Sequence, residues 1–160
     1  MALDPAKVGM EMPGRRLLIT RSRLRQFAKA TGQTDPVYLD PQAAKSAGHR
    51  DLPVPPTFFF SVDLEAPDPL DYCQLLGIDP NRILHGEQSF QYLHMAYAGD
   101  VLSTKSTVTD LYSRKGGALD FVTRVFDVVN QDNVLVASME STVVVRNPAD
   151  ADRAHAELPS

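Results

Sequence analysis

The sequence predicts an α+β domain, from the order of its patterns and the size of the chain. Helical spacing of apolar residues dominates the first half, whereas β-branched runs separated by turn residues dominate the second half. Helices followed by consecutive strands are typical of an α+β fold with an antiparallel sheet. The 160 residues, 43% of them apolar, suffice for one domain with a sizeable core.

Composition excludes several classes of protein. Lys and Arg number 16 against 20 Asp and Glu, so the net charge of −4 supplies no basic field for nucleic acid. No apolar run approaches the roughly 20 residues that cross a bilayer, and the first residues lack an apolar signal core. These features predict a soluble cytoplasmic protein. The single cysteine, Cys73, excludes an internal disulfide, and no residue spacing is typical of a zinc site, so we expect neither a metal nor a cofactor.

One domain is predicted between two irregular ends. Residues 1–14 mix polar residues with proline and glycine, which predicts an N-terminal arm. The domain spans residues 15–147 and opens with a short strand at 17–19. Residues 148–160 are polar and rich in alanine, which predicts a flexible tail.

A helix follows the first strand, and both of its ends are marked. Thr20 is a typical N-cap, and Leu24, Phe27 and Ala28 recur at the helical spacing that places them on one buried stripe. Gly32 ends the helix, because glycine adopts the left-handed conformation after a helix without strain.

Two further helical segments are predicted before the strands. Asp40 and Pro41 are the N-cap and first residue of a short helix that ends at Gly48. Thr57 is predicted to cap the apolar segment 58–64. A helix with apolar bulk all around it is usually enclosed by other structure.

The second half of the chain is predicted to form strands joined by turns. β-Branched residues are enriched in four segments, and clusters of Gly, Asp or Asn separate them. The predicted strands are 84–94, 101–113, 119–129 and 134–146, preceded by a short helical piece at 72–76. An enclosed helix beside an antiparallel meander is the hot-dog arrangement, which periodicity alone leaves as one of several α+β options.

Six stretches carry a pattern in a specific order and spacing. They are RQFAKATG (25–32), DPVYLD (35–40), AGHRDLPVPPTF (47–58), LHGEQ (84–88), AGDVL (98–102) and STVVVR (141–146). Together, from about residue 8 to residue 146, they resemble the MaoC-like hydratase/dehydratase family, in particular its N-terminal-type (FAS-like dehydratase) domain. Within that family the chain resembles the non-catalytic subunit of heteromeric (3R)-hydroxyacyl dehydratases.

The resemblance implies both a fold and a chemistry. It implies a hot-dog fold, an antiparallel sheet wrapped around one central helix, that pairs into a double hot dog. It also implies acyl thioesters of CoA or acyl carrier protein as ligands. The reaction that it implies is the reversible addition of water across a 2-enoyl thioester, which gives the (R)-3-hydroxyacyl form.

The residues that such a reaction needs are replaced in this chain. Hydration requires a base that activates water and an acid that protonates the α carbon. Catalytic members of the family carry Asp-x-Asn-Pro-x-His for this work. Aligned on the proline, Gln33 stands at the Asp position, Asp35 at the Asn position and Tyr38 at the His position. An amide accepts no proton usefully, and a phenol with a pKa near 10 is a poor base at neutral pH.

Three hypotheses about function follow. The first is a subunit that shapes the acyl pocket for a catalytic hot-dog partner. The second is a self-sufficient enoyl-CoA hydratase in which Asp35, or His85 with Glu87, moves the protons, since residues two apart on a strand share a face. Asp35 is more typical of a turn cap than of a base, and His85 with Glu87 is more typical of a structural or interface role. The third is a non-enzymatic module that binds acyl thioesters.

Candidate substrate-binding residues come from two segments. Tyr38 is predicted to line the acyl pocket or to pack in the core. Backbone N–H groups at Pro56-Thr57 begin the enclosed helix and are candidates to bind the thioester oxygen. Phe58 and Phe59 are predicted core residues, and their spacing leaves open whether one of them faces an acyl tunnel.

The remaining candidates are basic residues and a partner surface. Arg114 and Lys115 form the best local basic site for the phosphates of CoA, with Arg50 and Lys105 as contributors, although a solvated hairpin tip needs no ligand. A single hot-dog sheet leaves one edge strand unpaired. We therefore expect a homo- or hetero-oligomer with another hot-dog subunit.

Overall fold

Five antiparallel strands form the sheet that organises the protein. The computed structural model describes residues 3–65 and 67–147, and the predicted tail at 148–160 lies outside the described residues. The strands are β1 (Glu11–Leu18), β2 (Ile83–Tyr92), β3 (Val101–Arg114), β4 (Leu119–Val129) and β5 (Leu135–Arg146). Their order across the sheet is β1-β3-β4-β5-β2.

The helices are short and lie mostly before the strands. The α-helices are α1 (Arg21–Thr31), α2 (Pro41–Ser46), α3 (Ser61–Leu64) and α4 (Asp71–Leu76). Turns of 3-10 helix occupy Pro5–Lys7, Pro36–Tyr38, Pro56–Phe60, Pro80–Arg82 and Lys115–Gly117. Across residues 3–65 and 67–147, no helix is both long enough and apolar enough to cross a membrane.

The predicted caps of α1 and α2 are confirmed. The Thr20 hydroxyl accepts a hydrogen bond from the Arg23 N–H, and Gly32 ends α1 with a φ of 71°. The Asp40 carboxylate accepts a hydrogen bond from the Gln42 N–H at the start of α2, with Pro41 in the first helical position. These hydrogen bonds satisfy donors that a helix start leaves without partners.

The enclosed apolar helix forms, but Thr57 does not cap it. The segment begins at Pro56 as a 3-10 turn and continues directly into α3, with no side-chain hydrogen bond at its start. Pro55 and Pro56 set the backbone for entry, because proline fixes φ near the helical value and has no N–H to satisfy. Thr57 therefore lies inside the turn and is exposed, while Phe58 and Phe59 are buried.

Strand β1 starts earlier than the sequence predicts. Residues 11–14, which the sequence assigns to an N-terminal arm, form its first half, where Glu11 pairs with Thr107 and Met12 is buried. The register shifts between Met12 and Arg15, across Pro13-Gly14. This irregularity interrupts the alternating pattern that would have marked the strand.

Strand β2 does not join the meander. Strands β3, β4 and β5 pair in chain order, whereas β2 crosses the fold and pairs with β5 at the far edge of the sheet. The sequence predicts each of these strands to within two residues of its observed bounds. It does not predict this partner, because pairing between distant strands depends on the whole fold rather than on local pattern.

Two apolar clusters fill the inner face of the sheet. One surrounds the enclosed helix and includes Phe58, Leu102 and Phe126. The other lies beside α4 and includes Tyr72 and Val122. Polar residues of β4 and β5 lie between the two clusters.

Candidate functional site

The loop at the family's acid/base positions is held by its own side chains. The Gln33 side-chain oxygen accepts a hydrogen bond from the Asp35 N–H at 3.0 Å. The Asp35 carboxylate in turn accepts one from the Val37 N–H at 3.0 Å and caps the 3-10 turn Pro36–Tyr38. Gln33 and Tyr38 are half-buried, and Asp35 is exposed. The geometry therefore gives Asp35 a structural contact in this turn.

His85 and Glu87 do not share a face, which corrects the prediction made from their spacing. His85 is opposite Val143 in β5, whereas Glu87 is opposite Thr142, so the register shifts between them. A β-bulge at Gly86 inserts an extra residue and turns the two side chains to opposite sides. The His85 ring packs edge-on against Phe60 at 5.4 Å, on the inner side of the sheet.

Gly86 is suited to this bulge. A Cβ at this position would lie 3.0 Å from the Thr142 carbonyl oxygen and 3.0 Å from Val144 Cγ2. Only glycine fits that close approach without movement of its neighbours. Because of the bulge, both His85 and Gln88 face the inner side.

The predicted thioester and tunnel residues differ in burial. Pro56 and Thr57 are exposed at the start of the enclosed helix. Phe58 and Phe59 are buried core residues, and the Phe58 ring meets Phe27 edge-on at 5.3 Å. The next residue, Phe60, lines a cavity.

The predicted basic residues have different surroundings, and three of them contact other side chains. Arg114 stacks over the Tyr112 ring at 5.1 Å, and Lys115 occupies the exposed hairpin tip with a φ of 52°. Arg50 is bound by the buried carboxylate of Asp100 at 2.5 Å. Lys105 pairs with Glu11 on neighbouring strands. The interaction of Arg114 and Lys115 with CoA phosphates stays a prediction.

A cavity that the sequence analysis missed lies beneath α3 and α4. Its volume is about 70 Å³. Polar and aromatic side chains meet there between the two apolar clusters. Residues that line it include Phe60, Asp63, Tyr72, His85, Arg124 and Ser141.

Arg124 is the central charge of this cavity. It is 5% exposed, and its guanidinium stacks 3.7 Å from the Tyr72 ring and 4.7 Å from the Phe126 ring. Its Nη2 atom lies 3.8 Å from Asp63 Oδ2. Burial raises the pKa of Asp63 and lowers the pKa of Arg124, because both charged forms lose water.

A second cation approaches Asp63 from β1. Arg15 Nε lies 4.0 Å from Asp63 Oδ1, while Arg15 Nη2 donates a hydrogen bond to Asp71 at 2.6 Å. The four side chains form a chain of charges between β1, β4, α3 and α4. None of the distances to Asp63 is short enough for a strong hydrogen bond.

Three polar residues form one row across the sheet beside this chain of charges. Ser141 of β5 is opposite Arg124 of β4 on one side and Gln88 of β2 on the other. Arg124 Nε, Ser141 Oγ and Gln88 Oε1 are buried, and each lacks a hydrogen-bond partner among the described residues. Each residue of this row therefore has a buried polar atom without a hydrogen-bond partner among the described residues.

A signal for this site is present in the sequence. Strand β4 buries alternate residues from Asp120 to Val128, and Arg124 falls on that buried side. Asp63 is likewise an acidic residue within the enclosed apolar helix. A buried strand position with Arg and an enclosed helix position with Asp indicate an ion pair. Asp63 and Arg124 are 61 residues apart in the sequence, so a local sequence pattern cannot predict that they pair.

The unpaired edge of β2 carries exposed apolar side chains near both of its ends. In the described part of the chain, β2 pairs with β5 alone, so its other edge carries free N–H and C=O groups. Four large apolar residues on or next to this strand are exposed: Leu84, Tyr92, Leu93 and Met95. This surface is suited to pairing with another chain.

Solved structures identify the fold. A chain of the HadBC (3R-hydroxyacyl-ACP dehydratase) complex from Mycobacterium tuberculosis superimposes with a TM-score of 0.74 and 24% identity, over 86% of this chain and 96% of that chain. A MaoC-like dehydratase gives a TM-score of 0.77 at 22% identity, over 97% of this chain and 49% of that chain. The domain has the hot-dog fold, as predicted.

The family follows from sequence comparison. Residues 6–139 match the family model described as FAS1-like, dehydratase domain region. A UPF0336 protein of Streptomyces griseus is 36% identical over 152 residues, which cover 94% of this chain and 100% of that relative. This chain belongs to the FAS1-like dehydratase family, and the resemblance to MaoC-like hydratases and dehydratases is confirmed.

Proposed function

We propose that this chain is a subunit of an (R)-specific enoyl-thioester hydratase, or 3-hydroxyacyl-thioester dehydratase, that shapes the acyl pocket for a catalytic hot-dog partner. One observation carries the proposal: the family scaffold is present, while Gln33 and Tyr38 occupy its acid/base positions. The Gln33 oxygen is also engaged by the Asp35 N–H. An amide cannot act as a general base, and a phenol is a poor general base at neutral pH, so neither residue supplies the base that activates water.

The bulge at Gly86 weakens the case for a self-sufficient enzyme. His85 and Glu87 lie on opposite sides of β2, so they cannot act together on one water molecule. Asp35 is exposed and caps a turn. A general base needs to lie within hydrogen-bond reach of its water and to have an acid partner nearby.

The comparisons support a partner of the same fold. The HadBC similarity is to one chain of a complex of hot-dog dehydratase subunits. The MaoC-like dehydratase is about twice as long as the part that this chain matches. The β2 edge of this chain, with its exposed apolar residues, is where we place the second hot-dog domain.

Reconstitution tests the proposal. The chain is purified alone and together with a hot-dog subunit from the same organism that carries the full Asp-x-Asn-Pro-x-His motif. Hydration of crotonyl-CoA and of longer enoyl-CoAs is then measured. We expect turnover by the complex, loss of turnover when the partner's motif His is replaced by Ala, and no turnover by the chain alone.

Two results would redirect the proposal. Robust turnover by the purified chain alone would establish the self-sufficient enzyme instead. Binding of acyl-CoA by calorimetry, without water addition under either condition, would establish the non-enzymatic binding module.

A further inference from the structure

The outer face of the sheet, which is turned away from the enclosed helix, carries an apolar row across neighbouring strands. Tyr112 of β3 is opposite Phe121 of β4, and Phe121 is opposite Val144 of β5. All three are half-buried, and the two rings stack 4.8 Å apart. Leu84 of β2 is opposite Val144 and extends the row to the edge of the sheet. Because aromatic residues are enriched in protein–protein interfaces, this row is a candidate contact surface.

Opposite charges flank the apolar row on its two sides. On one side, Arg114 of β3 and Arg146 of β5 both lie opposite Leu119. On the other side, Asp110 of β3 and Glu87 of β2 lie at the two ends of a row that also crosses β4 and β5. All four charged residues are exposed, and none of them forms an ion pair with another described residue.

The order of charges along β3 is self-complementary under a two-fold rotation. Asp110 and Arg114 lie on either side of Tyr112, each roughly 7 Å from it along the strand. A two-fold axis along the apolar row reverses the strand direction and sets each strand over its own copy. Arg114 of one copy then lies over Asp110 of the other, and the symmetry forms this pair twice.

Strand β5 follows the same pattern. The rotation sets Arg146 of one copy over Thr142 of the other, and Glu87 is opposite Thr142 on the neighbouring strand. Neighbouring strands are about 4.8 Å apart, which a long arginine side chain can bridge. Both ends of the face therefore offer an acidic residue to each arginine of a second copy.

The balance of charge favours a second copy over a ligand of one sign. Two cations and two anions flank the row, so the face as a whole attracts neither a polyanion nor a polycation. Sheets that pack face to face lie about 10 Å apart with their strands within roughly 30° of one another. At that distance the apolar rows of two copies fill the middle, and the charged pairs surround them.

We infer that the outer face binds a second copy of this chain, sheet against sheet, about a two-fold axis along the row of Tyr112, Phe121 and Val144. This contact differs from the β2 edge, where the proposed function places a catalytic partner, so one assembly can use both. The inference does not rest on the proposed function, because it concerns the association of this chain with itself.

Charge reversal tests the arrangement in the full chain. Sedimentation equilibrium over a range of concentrations measures the dissociation constant of the self-associated chain. Asp110→Arg and Arg114→Asp each set like charges over one another in two symmetric pairs, so each should weaken association about tenfold or more. The two substitutions together restore opposite charges and should return the dissociation constant to within about threefold of the wild-type value.

Asp127→Arg is the matched control. Asp127 is exposed on the same face, and its replacement changes the net charge by the same amount as Asp110→Arg. It lies about 20 Å from the proposed axis along β4, beyond the reach of the charged pairs, so it should associate as the wild type does. Circular dichroism and thermal unfolding check that every variant folds, as substitutions at exposed positions usually allow.

Four results would overturn the inference. The first is a wild-type chain that sediments as a monomer at every concentration. The second is equal association by the wild type and both single variants, which would place the contact on another surface such as the β2 edge. The third is a double variant that associates as weakly as the single variants, which would remove the two-fold pairing. The fourth is self-association that occurs only after removal of residues 148–160, which would assign this face to the C-terminal segment of the chain.

Discussion

A structural role and a catalytic role for Asp35 can be distinguished by a single substitution. Its carboxylate caps the turn Pro36–Tyr38 through the Val37 N–H. Asn keeps an oxygen that accepts this hydrogen bond but cannot take up a proton. A structural Asp35 and a catalytic Asp35 therefore respond differently to the same change.

We predict that Asp35→Asn leaves kcat/KM of the reconstituted complex within about twofold, because the proposed function assigns the proton transfers to the partner. Asp35→Ala removes the cap and should lower the free energy of unfolding by about 1 kcal/mol. Enoyl-CoA hydration and urea denaturation measure the two effects. A loss of about 10²-fold in rate in Asp35→Asn would identify Asp35 as the general base.

Asp51 is predicted to make stability depend on pH below neutrality. The Arg21 guanidinium donates to both of its oxygens, at 2.9 and 2.6 Å, and holds the pKa of Asp51 down at about 2, against an ordinary value of 3.8. A carboxyl whose pKa is lower in the folded state stabilises the fold above its unfolded pKa. That contribution is lost as the pH falls from about 4 through 2.

Asp51→Asn should therefore lower the free energy of unfolding by about 1 kcal/mol at pH 7, an amount limited by the half-exposed side chain of Arg21. The difference from the wild type should shrink between pH 4 and pH 2. Denaturant unfolding at several pH values measures it. A difference that stays constant down to pH 2 would contradict the ion pair as its cause.

At the scale of elements, the bulge in β2 decides which side chains face the cavity. Gly86→Ala would push a methyl group against the Thr142 carbonyl oxygen and Val144 Cγ2. We expect the free energy of unfolding to fall by about 1–3 kcal/mol, since neither a paired strand nor a branched side chain gives way easily. Thermal unfolding measures the loss. Ser89→Ala, at an exposed position of the same strand, is the control and should stay within about 0.5 kcal/mol of the wild type.

The sequence predicts those helix ends that are determined by interactions between residues close together in the chain. Thr20, Gly32 and Asp40 start or end helices through hydrogen bonds and backbone angles within a few residues, so they can be recognised from the chain alone. Thr57 shows the limit of that reasoning. It has the residue type of a cap, but the preceding prolines start the turn before it.

The candidate site is less predictable because distant residues form it. The unusual identities of Gln33 and Tyr38 are visible in a motif of six residues. The cavity depends instead on Arg124 and Asp63, which the sequence separates widely and only the packing of α3 on β4 brings together. The faces of His85 and Glu87 were wrongly predicted, since a period of two assumes an uninterrupted strand.

For the whole molecule, the sheet has two edges of different character. Strand β1 has a register shift at Pro13-Gly14 and pairs only with β3 in the described chain. A proline in an edge strand discourages further pairing, because it has no N–H to donate. Strand β2 has ten residues, with exposed apolar side chains near its two ends at Leu84 and Tyr92. The β2 edge is therefore the better surface for a partner domain.

We predict that Leu84→Lys blocks assembly through this edge. Leu84 is 53% exposed, so a lysine is tolerated in the separate chain, whereas an interface would have to bury its charge. Association with the proposed catalytic partner, measured by analytical ultracentrifugation, should weaken about tenfold or more, and thermal stability of the chain alone should change little. Leu75→Lys on α4, at a position 43% exposed, is the matched control and should associate normally. Equal association by both variants would place the partner on another surface, because a charge at Leu84 would then be harmless on the unpaired β2 edge.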